Sequence, residues 1–209
     1  EGLTLVYIDG TVGWRSIQDN VFADEGSSFV TATGGTITTS GNCKIHTFTG
    51  PGTFSVSTIS GTPANNEVSY VVVAGGGGGG SRWGPGGGGA GGFREVKSPV
   101  TPYTASPLDG YPSAPNRVTV TAQAYPITVG GGGAGNPSPS AGGCSGSTST
   151  FSTVTSAGGG GGAGLGSAPL ATGGNGGSGG GGGRHGGPQP GGSGNTPPVS
   201  PPQGQNGGS

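Results

Sequence analysis

Two histidines, two cysteines and eight carboxylates are the imidazole, thiol and carboxyl groups of this chain of 209 residues, and the first candidates for proton or metal chemistry. His46 lies within a strand-like stretch and His185 between glycine runs. The acids Asp9, Asp19, Asp24, Glu25, Glu67, Glu95 and Asp109 are scattered, with no repeated pairing that would suit general acid–base work. A Ser-His-Asp set could be assembled from any serine-rich chain and means nothing without geometry. No catalytic residue is therefore expected, nor an enzyme, and both histidines are expected as surface groups. Two cysteines with isolated histidines fall short of a closed zinc site, so no metal or cofactor is expected either. Cys43 and Cys144 could form one staple worth about 2–4 kcal/mol, or stay as free thiols.

Recognition chemistry has more to work with. Trp83, Phe93, Tyr103, Tyr111 and Tyr125 stand in or beside long inserts, near Arg82, Arg94 and Arg117. Aromatic faces and guanidinium groups suit sugars or protein surfaces, while burial to pin down the loops is the competing use. Arg82, Trp83, Tyr103, Tyr111, Arg184 and His185 are the receptor-binding candidates. Trp14 is expected in a subunit contact or a small core. The text from Val71 to Gly80 has the outline of a phosphate-binding loop, but such a loop needs a helix directly after it and a Lys-Ser/Thr pair. Ser81-Arg82-Trp83-Gly84-Pro85 follows instead.

The elements that position these residues must be built from unusual material. Gly accounts for 56 residues and Pro for 18, while hydrophobic residues reach 27% and charged residues 7%. Ordinary soluble domains carry about 45–50% apolar and about 25% charged residues. The shortfall on both counts excludes an ordinary enzyme core and a charge-solubilised tail alike. With few leucines and no Met, an α-helical fold is excluded as well. A formal net charge of −1 offers no field for nucleic acid or an acidic membrane, and no apolar stretch is long enough to span a bilayer as a helix. A structural or adhesive protein remains. With no Met at the start and an end in mid-pattern at Asn206-Gly207-Gly208-Ser209, the chain reads as a piece of a longer polypeptide.

Composition shifts at Gly75. Residues 1–27 hold a short strand-like stretch, Leu3 to Ile8. Residues 28–74 read as a small antiparallel β module. Within it, Phe29–Thr33 and Thr36–Thr39 flank Gly34-Gly35 as a hairpin would, and Lys44–Phe48 and Thr53–Ser57 flank Gly50-Pro51-Gly52. Tyr70-Val71-Val72-Val73 is apolar throughout, as for a strand buried on both faces. Residues 75–209 form a glycine-rich region whose runs are separated by inserts at 93–129, 136–157, 165–172 and 195–206. Two inserts hold short strand-like pieces, Arg117–Thr121 and Phe151–Val154.

Gly/Ser-rich chains usually behave as flexible linkers, and Gly loses more freedom on ordering than any other residue. These runs, however, admit Ala and few other residues, most are about six or seven residues long, and apolar strands lead into them. Packed extended left-handed helices, with three residues per turn and about 3.1 Å rise, fit all three properties. Without side chains they can lie side by side and exchange N–H···O=C bonds, so that backbone replaces the missing core. Collagen would need Gly at every third place, a period the consecutive runs and long inserts do not keep. The expected fold class is all-β plus polyglycine II, with essentially no α-helix.

Thr47-Phe48-Thr49-Gly50-Pro51-Gly52-Thr53-Phe54, then Tyr70-Val71-Val72-Val73-Ala74 and six glycines, resembles the glycine-rich domain of bacteriophage tail fibres and related virion proteins. The runs at 86–94, 125–130, 149–152 and 157–159 fit the same resemblance, which covers roughly residues 28–195. Leu3 to Tyr7 with Gly13-Trp14 is similar to the linker preceding such domains in marine phage proteins, which implies that residues 1–27 are a linker or fibre connection with a short strand. The resemblance implies a virion appendage, a tail fibre or adhesin that is trimeric or otherwise multimeric. Its loops would bind a host-surface glycan or outer-membrane protein, alongside other virion proteins. It also implies assembly in a reducing cytoplasm, where both cysteines stay free. The alternative is a cellular extracellular fibril or matrix protein that self-associates through glycine. An ice-binding protein would need a flat, regular face, which the long inserts do not favour.

Overall fold

The computed structural model describes residues 5–7, 14–16, 29–81, 84–136, 141–165, 171–184 and 187–209, the first two stretches by their backbone alone. The fold is all-β with essentially no helix. Its strands are β1 Leu5–Tyr7, β2 Trp14–Ser16, β3 Thr31–Thr33, β4 Thr36–Ser40, β5 Cys43–Thr47, β6 Gly52–Thr58, β7 Glu67–Val68, β8 Tyr70–Val73, β9 Phe93–Val96, β10 Val118–Thr119, β11 Ala124–Thr128, β12 Ser149–Phe151 and β13 Val154–Ser156. Among the described residues the only helical turns are two short 3-10 pieces, Pro63–Asn66 and Ala114–Asn116.

The main sheet runs β13-β12-β11-β6-β3, so it draws strands from before and after Gly75. Its inner face meets the β8–β9 hairpin around a cluster of Phe54, Val56, Tyr70, Val72, Val96, Val118, Val120, Tyr125, Phe151 and Val154. Phe151 is the centre of an aromatic group, with Phe54, Tyr70 and Tyr125 ring centroids 5.9–6.3 Å apart in tilted or edge-on contacts.

Two strand pairings differ from those the turn dipeptides suggest. β3 does not pair with β4 across Gly34-Gly35, although both glycines have positive φ. Instead β3 joins β6, while β4 pairs with β5, placing Ser40 opposite Cys43. The cause is burial. β6 brings Phe54 and Val56 into the core, whereas every residue of β4 is exposed and has no apolar face to contribute. β5 and β6 likewise do not pair across Gly50-Pro51-Gly52. β8 also departs from expectation, since Tyr70 and Val72 are buried but Val71 and Val73 are exposed. It pairs only with β9 in a two-stranded ribbon, which has one face on the core and one open.

The glycine segments grow out of these hairpins. β8 and β9 pair Tyr70 with Val96 and Val73 with Phe93. Past the strands the same register continues: Ala74 N–H donates to Gly92 O at 3.0 Å, Gly77 to Gly89 at 2.8 Å and Gly80 to Gly86 at 3.0 Å. β11–β12 extends in the same way, with Ser147 and Cys144 donating to Gly131 and Ala134, and β12–β13 extends with Gly146 and Gly143 donating to Gly159 and Gly162. Bonding to one neighbour now recurs at every third residue, because the intervening residues bond to other segments. Gly75 and Gly78, for instance, donate to Ser147 and Cys144.

Segment 157–164 lies at the centre. Every carbonyl from 157 to 163 accepts an N–H, in turn from Gly92, Gly177, Gly146, Gly89, Gly174, Gly143 and Gly86. Buried backbone groups cost about as much as a lost hydrogen bond if left unpaired, and here the pairing of acceptors is complete. Side chains have no room. A Cβ on Gly161 would collide with the Gly143 carbonyl, on Gly162 with that of Gly86, and on Gly160 with that of Gly174. Positive φ among the described glycines is confined to Gly34, Gly35, Gly41, Gly84 and Gly187, so the runs need glycine for close approach and not for unusual dihedrals. Two of the alanines stand where space opens: Ala90 and Ala134 are exposed and sit three residues after Gly87 and Gly131, where a Cβ would meet nothing within 4 Å, whereas Ala163 in the central run is buried.

Candidate functional site

The segment after β9 folds back over the β8–β9 hairpin and is tied down by carboxylates. Glu95 Oε2 accepts the N–H and the hydroxyl of Ser106, and Asp109 Oδ1 accepts the N–H of Lys97 and of Tyr111, both at 3.0 Å. Tyr111 donates its hydroxyl to Glu67 at 3.0 Å, and Arg117 lies over its ring, 4.2 Å from the centroid, while donating from Nε to the Tyr111 carbonyl at 2.8 Å. Partial burial, then the bond to Glu67, raises the Tyr111 phenol pKa. Tyr111 is therefore engaged in holding the loop. Tyr103 keeps 39% of its surface exposed, with its hydroxyl 3.5 Å from the Val96 carbonyl. Burial, then the nearby Glu95 carboxylate, pushes its pKa up to about 12.

Arg184 is elsewhere. Its N–H donates to Gly84 O at 2.9 Å at the tip of the 74–80/86–92 pair, beside a hollow of about 300 Å³ lined with Pro85, Pro188 and Ser209. Some ten extended residues, roughly 30 Å, separate that tip from Tyr70 at the base of the hairpin. The structure thus places Tyr103 and Tyr111 at one end of the glycine segments and Arg184 at the other. Arg82, Trp83 and His185 lie outside the described residues.

Other sequence candidates are absorbed by packing. Tyr125 is buried in the aromatic cluster. His46 is half-buried and not simply a surface group: its Nδ1 is 2.8 Å from Gly34 O and its ring meets Phe54 edge-on at 5.0 Å. Cys43 and Cys144 carry free thiols, the latter exposed. Among the described residues no group of three His, Cys, Asp or Glu gathers where a metal ion could sit, and no helix is long and apolar enough to cross a membrane.

A cleft of about 350 Å³ opens where four parts of the chain meet: β9, the 113–116 turn, the β12–β13 turn and the Pro-rich stretch near the C-terminal end of the chain. Arg94, Asn116, Thr153, Thr155 and Ser200 line it. Arg94 is opposite Val72 on β8 and, like it, buried. Its Nη2 donates to Asn116 Oδ1 at 2.7 Å, and Asn116 Nδ2 donates to the Ser200 carbonyl at 2.8 Å, which fixes the far wall. Ser152, in the turn behind Thr153, has a left-handed φ of 53°. The sequence marks Arg94 only as an arginine near loop aromatics. Its partner Asn116 is 22 residues away, and Ser200, which Asn116 holds, is 106 residues away, a juxtaposition that no local spacing reveals.

With the geometry in place, comparison with known proteins adds one finding. The glycine-rich domain family matches residues 47–209, from β5 through every glycine segment. No curated protein and no solved structure matches the chain. That match takes in well over half of the sequence, and the chain belongs to the glycine-rich domain family.

Proposed function

We propose that the glycine segments are polyglycine II helices and that the chain is a structural, adhesive component of an external appendage of the phage tail-fibre kind. The observation that carries this reading is the fully accepting row of carbonyls from 157 to 163, with bonds to any one neighbour at three-residue intervals. That interval is the period of a three-fold extended helix. The lack of positive φ along the runs agrees with it. A lattice of this kind is rigid without being apolar, and its inserts are free to carry recognition. In this reading the protein is not an enzyme, acts outside the cell on a virion, and assembles with copies of itself and other virion proteins. Repeated display would then multiply weak loop contacts through effective concentration.

Amide hydrogen exchange on the purified chain tests the scaffold. Slow exchange in peptides 75–92 and 157–164 is expected, and random-coil rates would overturn it. Replacement of the exposed part of the loop, 99–105, tests adhesion. Altered adsorption to the host cell with unchanged assembly is expected, whereas unchanged adsorption removes that loop from the binding role. Sedimentation separates the extracellular-matrix alternative, which requires open-ended polymers in place of a closed oligomer.

A further inference from the structure

Arg94 is a largely buried side chain with no ion pair among the described residues. It faces the core side of β9, is 9% exposed, and makes one hydrogen bond, to a neutral amide. A guanidinium has five N–H donors; among the described residues no acceptor meets the other four, and no Arg94 nitrogen is both buried and unpartnered, so these donors open into the cleft. The carboxylates nearby are committed elsewhere. Glu95 is paired across the ribbon with exposed Val71 and holds Ser106, Asp109 holds the N–H groups of Lys97 and Tyr111, and Glu67 holds the Tyr111 hydroxyl. Guanidinium donors that open onto a cleft without a protein acceptor are available to an anion entering it.

The surroundings narrow the choice. The cleft has the volume of a small-molecule site at the lower end of the usual range, enough for one sugar ring. Thr153, Thr155 and Ser200 share the lining with Arg94 and carry hydroxyl groups, and Pro115 and Val199 are its apolar members beside Val154. Arg94 is the one cation in the lining. A single positive fork matches a planar monoanion, and a phosphate dianion would leave surplus negative charge in the cleft.

We propose that this cleft binds the carboxylate of an acidic monosaccharide unit, with Arg94 taking the carboxylate and Thr153, Thr155 and Ser200 the ring hydroxyls. The site stands independently of the appendage reading, because it is tested with free sugars. Calorimetric titration of the whole purified chain with glucuronate, N-acetylneuraminate, glucose and inorganic phosphate decides it. Glucuronate or N-acetylneuraminate is expected to bind at least about tenfold more tightly than glucose, as one charge-assisted hydrogen bond implies. Thr155→Glu sets a competing carboxylate on the exposed rim and is expected to abolish that preference with the fold intact. Arg94→Lys is expected to weaken it about tenfold through loss of the bidentate fork. Equal binding of glucose and glucuronate, tighter binding of phosphate, or a Thr155→Glu variant that binds as before would each overturn the proposal. If Arg94→Lys fails to fold, the rim variant and the ligand series still decide.

Discussion

The side-chain carbonyl of Gln203 accepts the backbone N–H of Ala157 at 2.8 Å, so the chain end is plugged into the first residue of the central glycine segment. Gln203 is 1% exposed, its Nε2 donates to Pro197 O at 2.8 Å, and its backbone carbonyl accepts from Phe93. Gln203→Ala leaves the buried Ala157 donor and the Pro197 acceptor without these partners. A loss of about 2–5 kcal/mol is expected from two such deletions, read as a lower denaturant midpoint with unchanged slope. Faster amide exchange should appear first at 203–208.

The collision pattern along the runs predicts opposite signs for the same substitution. Gly160→Ala forces a methyl group into the Gly174 carbonyl and should cost about 3 kcal/mol or more. Gly87→Ala points into open space at an exposed position and should stabilise by about 0.4–1 kcal/mol, through a less mobile unfolded chain. Thermal unfolding of the two variants checks this. Equal effects would mean that the segments do not pack as described.

Alkaline pH gives a separate test of the core. Burial pushes the Tyr70 phenol up to about 12 from an ordinary value of 10, with Arg94 lowering it and Asp109 raising it. The raised value means that the folded protein keeps a proton the unfolded chain releases. Stability from this group is therefore intact below pH 10 and is lost as pH rises from 10 through 12. Tyr70→Phe should cost about 0.5–1.5 kcal/mol at neutral pH, because the bond from its hydroxyl to Asn116 O at 2.6 Å disappears. The same variant should show a shallower fall in stability between pH 10 and 12.

Arg117 anchors the loop through Tyr111 by stacking and by a hydrogen bond. Arg117→Ala should lower stability by about 1–2 kcal/mol. Amide exchange should quicken within 98–113 and stay unchanged in 157–164, since the glycine lattice makes no use of this contact.

What the sequence makes legible here follows from periodicity. Leu-poor, Thr-rich text announces strands and not helices, whereas Ala within a run does not tell an open face from a closed one: Ala90 and Ala134 are exposed and Ala163 is buried. Partnership is less visible. Gly34-Gly35 signals a turn, but which strand Thr31–Thr33 joins depends on where Phe54 and Val56 are buried. Tyr70–Val73 reads as doubly buried because Val71 and Val73 are apolar, while their exposure follows from a ribbon only two strands wide. Arg94 is hardest to read, because a charged residue between Phe93 and Glu95 has the look of a solvated strand face. Its burial depends on Asn116 and Ser200, brought in from distant turns.

The central segment is surrounded by other backbones and not by hydrocarbon, and that alters how the protein should respond to temperature. Exposing apolar surface raises heat capacity by about 0.45 cal/K/mol per Å², whereas exposing polar surface lowers it by about 0.26. Unfolding this lattice uncovers mainly peptide groups, so its heat-capacity increment should fall well below the roughly 12–15 cal/mol/K per residue of ordinary domains. The stability curve becomes broad and shallow. Cooling weakens an apolar core, but a carbonyl at Gly160 that accepts from Gly89 has little such support to lose.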